Sequence, residues 1–200
     1  MRYTQGFNPR PIHSLVLPRS VGVASLDDLW VFTLDEERSP EQVLGALTTA
    51  SLPMGLSILG ACVLPPKATP QPVVSDYTLS VAPEWKDDLT SRVEELQSQE
   101  QWDVERKKKS KGRRRSAPQF KTVDLKASVE NLAIEGDTLH LSIRSTVIPS
   151  ARPNELIRML GLPTEAISHL TRTGVVYTLS PDTETDFRKE ADVKKVVTHG

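Results

Sequence analysis

The chain has little of what most enzyme chemistry requires. One cysteine occurs in 200 residues. Cys62 alone excludes an intramolecular disulfide and excludes a zinc or iron–sulfur centre built from thiolates only. It lies in the apolar run from Leu56 to Val63, which reads as a buried strand with the thiol as core packing. His13, His140, His169 and His199 are scattered, without the spacing of a metal site, and each reads as a surface or packing residue. A Gly-x-Ser-x-Gly elbow, a phosphate-cradling Gly-rich loop and a dinucleotide fingerprint are all missing. No catalytic residue, metal or cofactor is therefore expected. No apolar run reaches the roughly 18 residues a membrane span needs, and the residues from Met1 to Thr4 lack the apolar stretch of a secretory signal. The expected compartment is cytoplasmic, with no membrane partner.

What is present is a marked separation of charge. The net charge is −1, yet Arg106, Lys107, Lys108, Lys109, Lys111, Arg113, Arg114 and Arg115 fall within ten positions that contain no acid. The rest of the chain has 17 basic against 26 acidic residues, a net of −9. Attraction to nucleic acid is expected at this segment and not over the whole surface. No aromatic interrupts the basic run, so base stacking is not expected there. The other reading of the run is a solvated hairpin tip.

Apolar periodicity divides the chain into two α/β parts. Strands are predicted at Ile12 to Leu17 and Leu29 to Leu34, joined by Ser20 to Asp28. Ser39, Pro40 and Gln42 have the spacing of a capped helix start, with Val43, Leu44 and Leu47 as its buried stripe. Residues 65–75 are proline-rich and read as an extended linker after a first unit of residues 1–64. From 76 to 180 the pattern predicts strand, helix (Pro83 to Gln99), strand, strand, helix (Arg152 to Leu160) and strand, with an added hairpin at Trp102 to Arg106 and Phe120 to Leu125 whose basic tip is 106–119. Residues 181–200 form a charged tail. The expected class is α+β, as two ferredoxin-like (split βαβ) units, the first lacking its initial strand and helix.

Arg2-Tyr3-Thr4-Gln5-Gly6-Phe7-Asn8-Pro9-Arg10 resembles the signature of a bacterial family of unknown function known as radical-SAM-linked proteins. There a tyrosine or equivalent and a serine or threonine precede Gln-Gly-Phe-Asn-Pro and a basic residue. The likeness continues through Leu15 to Pro18, Val21 to Val23, Val123-Asp124-Leu125 and Ser150-Ala151-Arg152-Pro153-Asn154-Glu155-Leu156. The resemblance implies a partner, a radical SAM protein that often carries a cobalamin-binding domain, encoded beside such proteins or fused to them and commonly near ribosomal-protein and ribonuclease genes. It also implies that the chain is N-terminally truncated, since typical members begin with a further strand and helix.

Candidate binding residues follow. Gln5, Gly6, Phe7, Asn8 and Arg10 read either as a recognition loop, with Phe7 as a stacking surface and Arg10 facing a phosphate or base, or as a tight turn with Phe7 in the core. Asp124 and Arg152 stand at the ends of apolar elements, and either pair with each other or contact a ligand. The expected function is a non-catalytic accessory or substrate-presenting module for a radical SAM protein, facing RNA or a ribosome-associated substrate. The alternative is a small RNA-acting enzyme with Asp124 as acid/base.

Overall fold

The computed structural model describes residues 1–108, 119–180 and 185–190. Its contacts separate two compact units. One comprises Met1–Pro18, Asp28–Gln71 and the described residues from Val176 onward; the other comprises Arg19–Asp27 and Pro72–Val175. The class is mixed α/β, with several sheets and few helices.

In the first unit, β1 (His13–Leu15) runs antiparallel to β3 (Trp30–Phe32), with Ser14 opposite Val31. Helix α1 (Pro40–Thr49) starts as its sequence predicts. Ser39 Oγ accepts from the Gln42 N–H at 3.3 Å, and Gln42 Oε1 accepts from the Ser39 N–H at 3.0 Å, so two unpaired backbone donors are satisfied reciprocally. The strand expected at Leu56 to Val63 does not form among the described residues. Apolar composition favours a strand only where a neighbouring edge takes up its backbone groups. The unit buries Leu44, Tyr177 and Phe187, while Leu15, Trp30, Met54, Leu56, Leu59 and Val63 remain exposed.

The second unit is built on a five-stranded sheet in the order β2 (Ala24–Ser25), β9 (Leu170–Thr178), β4 (Gln71–Ser80), β8 (Thr138–Arg144), β7 (Val129–Glu135). Strand β2, which falls in the stretch expected to be a connector, pairs parallel to β9. Two residues are too few to show an alternation, so the sequence pattern misses them. Strand β4 begins inside the proline-rich stretch read as a linker. Pro72 is tolerated because it stands at the start of the strand, before the ladder to β8 begins at Val74 opposite Arg144.

Period-two alternation directs Val73, Tyr77 and Leu79 of β4, with Leu139, Leu141 and Ile143 of β8, to one face of the sheet. Helix α2 (Lys86–Ser98) contributes Leu89, Val93 and Leu96 to that core, and α3 (Pro153–Met159) contributes Leu156 and Ile157. Full burial of each such side chain stabilises the fold by about 1.5–3 kcal/mol. Gly161, just past α3, has φ +64°, and a Cβ there would collide with the Arg92 guanidinium that donates to the Leu160 carbonyl. The β7–β8 turn has its own positive φ at Gly136, consistent with the short connection its sequence predicts.

Between α2 and β7 the chain leaves the main sheet. Strands β5 (Asp103–Lys107) and β6 (Phe120–Asp124) make a separate antiparallel ribbon in the register Val104 opposite Val123 and Arg106 opposite Lys121. Trp102 anchors its start, 3% exposed, with Nε1 donating to the Leu96 carbonyl at 2.7 Å. At its end the turn Lys126–Ser128 leads into β7. There the fully buried Ser128 hydroxyl donates to the Leu125 carbonyl and accepts from the Ala151 N–H at 2.8 Å. Ser128→Ala removes that acceptor and strands the Ala151 donor. It is expected to lower the stability of the second unit by about 1–3 kcal/mol, read as a reduced urea midpoint at unchanged slope; an unmoved midpoint would show that the bridge carries no weight.

Candidate nucleic-acid interface at the hairpin root

The start of the basic run and the Ser150 to Leu156 motif meet where the β5–β6 ribbon reaches α3. Alternation along β5 turns Val104 and Arg106 inward and leaves Asp103, Glu105 and Lys107 exposed. Arg106 therefore points at the start of α3, where Glu155 sits 7% exposed. Its Nε donates to Glu155 Oε1 at 2.8 Å, and its Nη2 donates to Oε2 at 2.6 Å and to the Ser150 carbonyl at 2.7 Å. The Arg152 N–H donates to the same Oε2 at 2.9 Å. One carboxylate thus accepts two guanidinium donors and one backbone donor, in the forked geometry that suits arginine and not lysine.

This changes the meaning of Arg106, which the sequence places among eight equivalent arm cations. Its charge is spent inside the protein. Lys107 and Lys108 are exposed, and the Lys108 N–H extends the ribbon by donating to the Gln119 carbonyl at 2.7 Å. Lys109, Lys111, Arg113, Arg114 and Arg115 lie outside the described residues.

Asp124 and Arg152 do not form the ion pair entertained for them. Asp124 Oδ1 instead accepts from the backbone N–H groups of Trp102, at 2.8 Å, and Lys126, at 3.0 Å. The carboxylate closes the base of the ribbon and caps the turn after it. Hydrogen bonds from the Lys126 and Trp102 N–H groups hold its carboxyl below the ordinary aspartate range. An exposed, ionised carboxylate engaged by backbone donors is badly suited to shuttle a proton near neutrality. The Arg152 guanidinium is exposed. Lys126 itself reaches across to the Gln97 and Gln99 carbonyls at the end of α2, so both neighbours in sequence serve the ribbon's attachment.

The Gln5 to Arg10 loop belongs to the first unit. Its neck is closed by the Thr4 N–H donating to the Arg10 carbonyl at 2.9 Å and the Arg10 N–H donating to Thr4 Oγ1 at 3.0 Å. Gly6 at φ +140° adopts a conformation that side chains resist. Gln5, Asn8 and Arg10 are exposed, and Phe7 at 107% is fully so, which removes the reading that places Phe7 in a core. The neighbouring ribbon carries an aromatic group of its own: Trp30 Nε1 donates to His13 Nδ1 at 3.2 Å, and Trp30 lies 4.9 Å from Phe32 between ring centres.

One residue escaped the sequence reading. Phe120 is 53% exposed and lies directly opposite Lys107 in the ribbon. The basic run contains no aromatic, but strand pairing brings one to its edge from beyond its far end. The available signal was the ribbon register, fixed by aligning Val104 with Val123. At Cys62 burial pushes the thiol up, with Arg188 pulling the other way, which disfavours the thiolate a nucleophile needs. Among the described residues, no three His, Cys, Asp or Glu side chains come together to hold a metal ion, and no helix is long and apolar enough to cross a membrane.

Residues 1–158 match a family described as "Uncharacterized protein conserved in bacteria (DUF2344)". The match includes the Gln5 to Arg10 loop, Asp124 and the Ser150 to Leu156 segment. No curated protein matches the chain, and no solved structure does.

Two substitutions separate architecture from chemistry at this root. Asp124→Ala is expected to cost about 1 kcal/mol, and Asp124→Asn less, because an amide oxygen still accepts both backbone donors; the small size reflects solvent screening. Because folding lowers the Asp124 pKa, its contribution is present above the unfolded value and fades as pH falls through the folded one. Parent and Asp124→Asn melting curves should therefore converge in acid and diverge toward neutrality. Glu155→Ala leaves Arg106 inward-facing and unpaired, with an expected loss of about 3–5 kcal/mol; a loss under 1 kcal/mol would show that the ion pair is not what fixes the ribbon.

Proposed function

The chain belongs to the DUF2344 family of bacterial proteins; from its basic segment and its likeness to radical-SAM-linked proteins we propose that it is a non-catalytic accessory module that presents RNA, or an RNA-containing substrate, to a radical SAM protein. The observation that carries this reading is the root of the basic segment. A ribbon held to α3 by the Arg106–Glu155 bridge presents Lys107 and Lys108 outward. The five further cations at 109–115 follow directly in sequence. Cations concentrated on one short segment suit local phosphate contact, while the acidic remainder of the chain repels nucleic acid elsewhere.

The second unit supports a ferredoxin-like reading in its strand order β9-β4-β8-β7, with β4 antiparallel to β8 and β8 to β7, and with α2 and α3 as the intervening helices. For the first unit the same reading requires two strands and a helix beyond β1, β3 and α1, since Leu56 to Val63 forms no strand among the described residues. The radical SAM partnership rests on the sequence likeness, whose motifs lie within the residues matched to the family. The Gln5 to Arg10 loop is the second proposed contact, because its closed neck displays Phe7 and leaves Arg10 at the surface. Asp124 as an acid/base is the weaker alternative, for its carboxylate already serves the backbone.

Titrating a structured RNA at two salt concentrations, with the chain and with a version lacking residues 109–118, tests the arm. Removing five cations is expected to flatten the dependence of log K on log salt by roughly 4. Equal affinity and equal salt dependence in the two chains would end the RNA assignment. For the partnership, a radical SAM protein from the same organism should co-elute with the chain in size-exclusion chromatography, and separate elution at micromolar concentration would count against it.

A further inference from the structure

Cross-strand partners share a face of a ribbon, with Cβ atoms about 4.5–5.5 Å apart. Lys107 and Phe120 are such a pair, Glu105 and Thr122 the next, and Asp103 and Asp124 the last. The outward face of the ribbon is therefore ordered by charge. Carboxylates occupy its base, and a lysine beside an exposed phenyl ring occupies the end nearest the basic run. Arg106 and Lys121 share the opposite face, where Arg106 is drawn inward to Glu155.

A single exposed ring is ordinary on a protein surface, but Phe120, 53% exposed, stands directly across from Lys107 and beside the densest positive charge in the sequence. A duplex offers phosphates to such a site but keeps its bases stacked inside. A single strand offers both a phosphate and a free aromatic face. The acidic base of the ribbon repels phosphates, so a bound strand is directed toward Lys107 and its base toward the Phe120 ring.

Resting on the RNA-facing reading above, we infer that Phe120 and Lys107 form a stacking site for one unpaired nucleotide, which makes the arm selective for single-stranded over double-stranded nucleic acid. An acidic peptide would satisfy Lys107 and leave the phenyl ring without a partner of matching shape, so single-stranded nucleic acid is the occupant the face favours.

The test uses the full chain and three labelled probes of equal charge in anisotropy titrations: a 12-nucleotide single strand, an abasic strand of the same length, and a short duplex of matched phosphate count. The parent should bind the single strand on the order of tenfold more tightly than the abasic strand or the duplex, from the stacking of one base. Phe120→Leu should erase that preference while leaving abasic and duplex affinities and the salt dependence as they are. Phe120→Trp should restore it, and an unchanged melting curve for both variants shows that the ribbon is intact. Parent binding that ignores the presence of bases, or a Phe120→Leu chain that keeps the preference, overturns the stacking site while the electrostatic arm survives. Binding to none of the probes defeats both readings. Tighter binding to a polyglutamate peptide than to any of the three also overturns the site, in favour of an acidic protein surface.

Discussion

A buried carboxylate needs hydrogen-bond donors in place of the water it gives up, and Glu155 finds them in the ribbon and at the start of α3. Arg106 comes from the ribbon, and the Arg152 N–H from the first turn of α3. The same guanidinium reaches the Ser150 carbonyl in the segment that leads into that helix. These attachments fix where the ribbon leaves the body of the unit. They also resolve a conflict within the ribbon, because Arg106 stands opposite Lys121, and like charges directly across a ladder repel. Withdrawing Arg106 onto Glu155 relieves that repulsion, while Lys107, Lys108 and Lys121 stay exposed.

Acidic side chains elsewhere at the root are used in the same structural way. Asp124 ties together the two ends of the ribbon by accepting from Trp102 at the entry and Lys126 at the exit. Trp102 and Ser128 complete the attachment from beneath, one bonding to the last turn of α2 and the other bridging Leu125 to Ala151. Asp124 and Glu155, which look reactive in a linear reading, thus have their carboxylates engaged in holding the ribbon to the unit.

The first unit has a different character. Its ribbon of three-residue strands and its single capped helix bury few large side chains, while Trp30, Leu56, Leu59 and Val63 stay in contact with water. Its most defined surface feature is the Gln5 to Arg10 loop, whose backbone closure at Thr4 and Arg10 presents Phe7 without support from a core. Two separate surfaces, one in each unit, therefore pair an exposed phenylalanine with nearby basic residues.

Local chemistry was legible in the sequence wherever it acts over a few residues. The Ser39–Gln42 box, the α2 stripe from Leu89 to Leu96, the β7–β8 hairpin and the concentration of charge at 106–115 each follow from spacing alone, because helix period, strand alternation and turn residues are short-range constraints. Tertiary structure decided what depends on a partner distant in the chain. Leu56 to Val63 has strand composition and no strand; Ala24–Ser25 has no visible pattern, yet pairs with β9. Arg106 could not be told from Lys107 until Glu155, 49 positions away, was brought within hydrogen-bonding reach. Asp124 likewise took its partner from a distance, accepting from the Trp102 N–H 22 positions away. A side chain's type fixes what it can bond to, and only the folded chain fixes which of those bonds are already made.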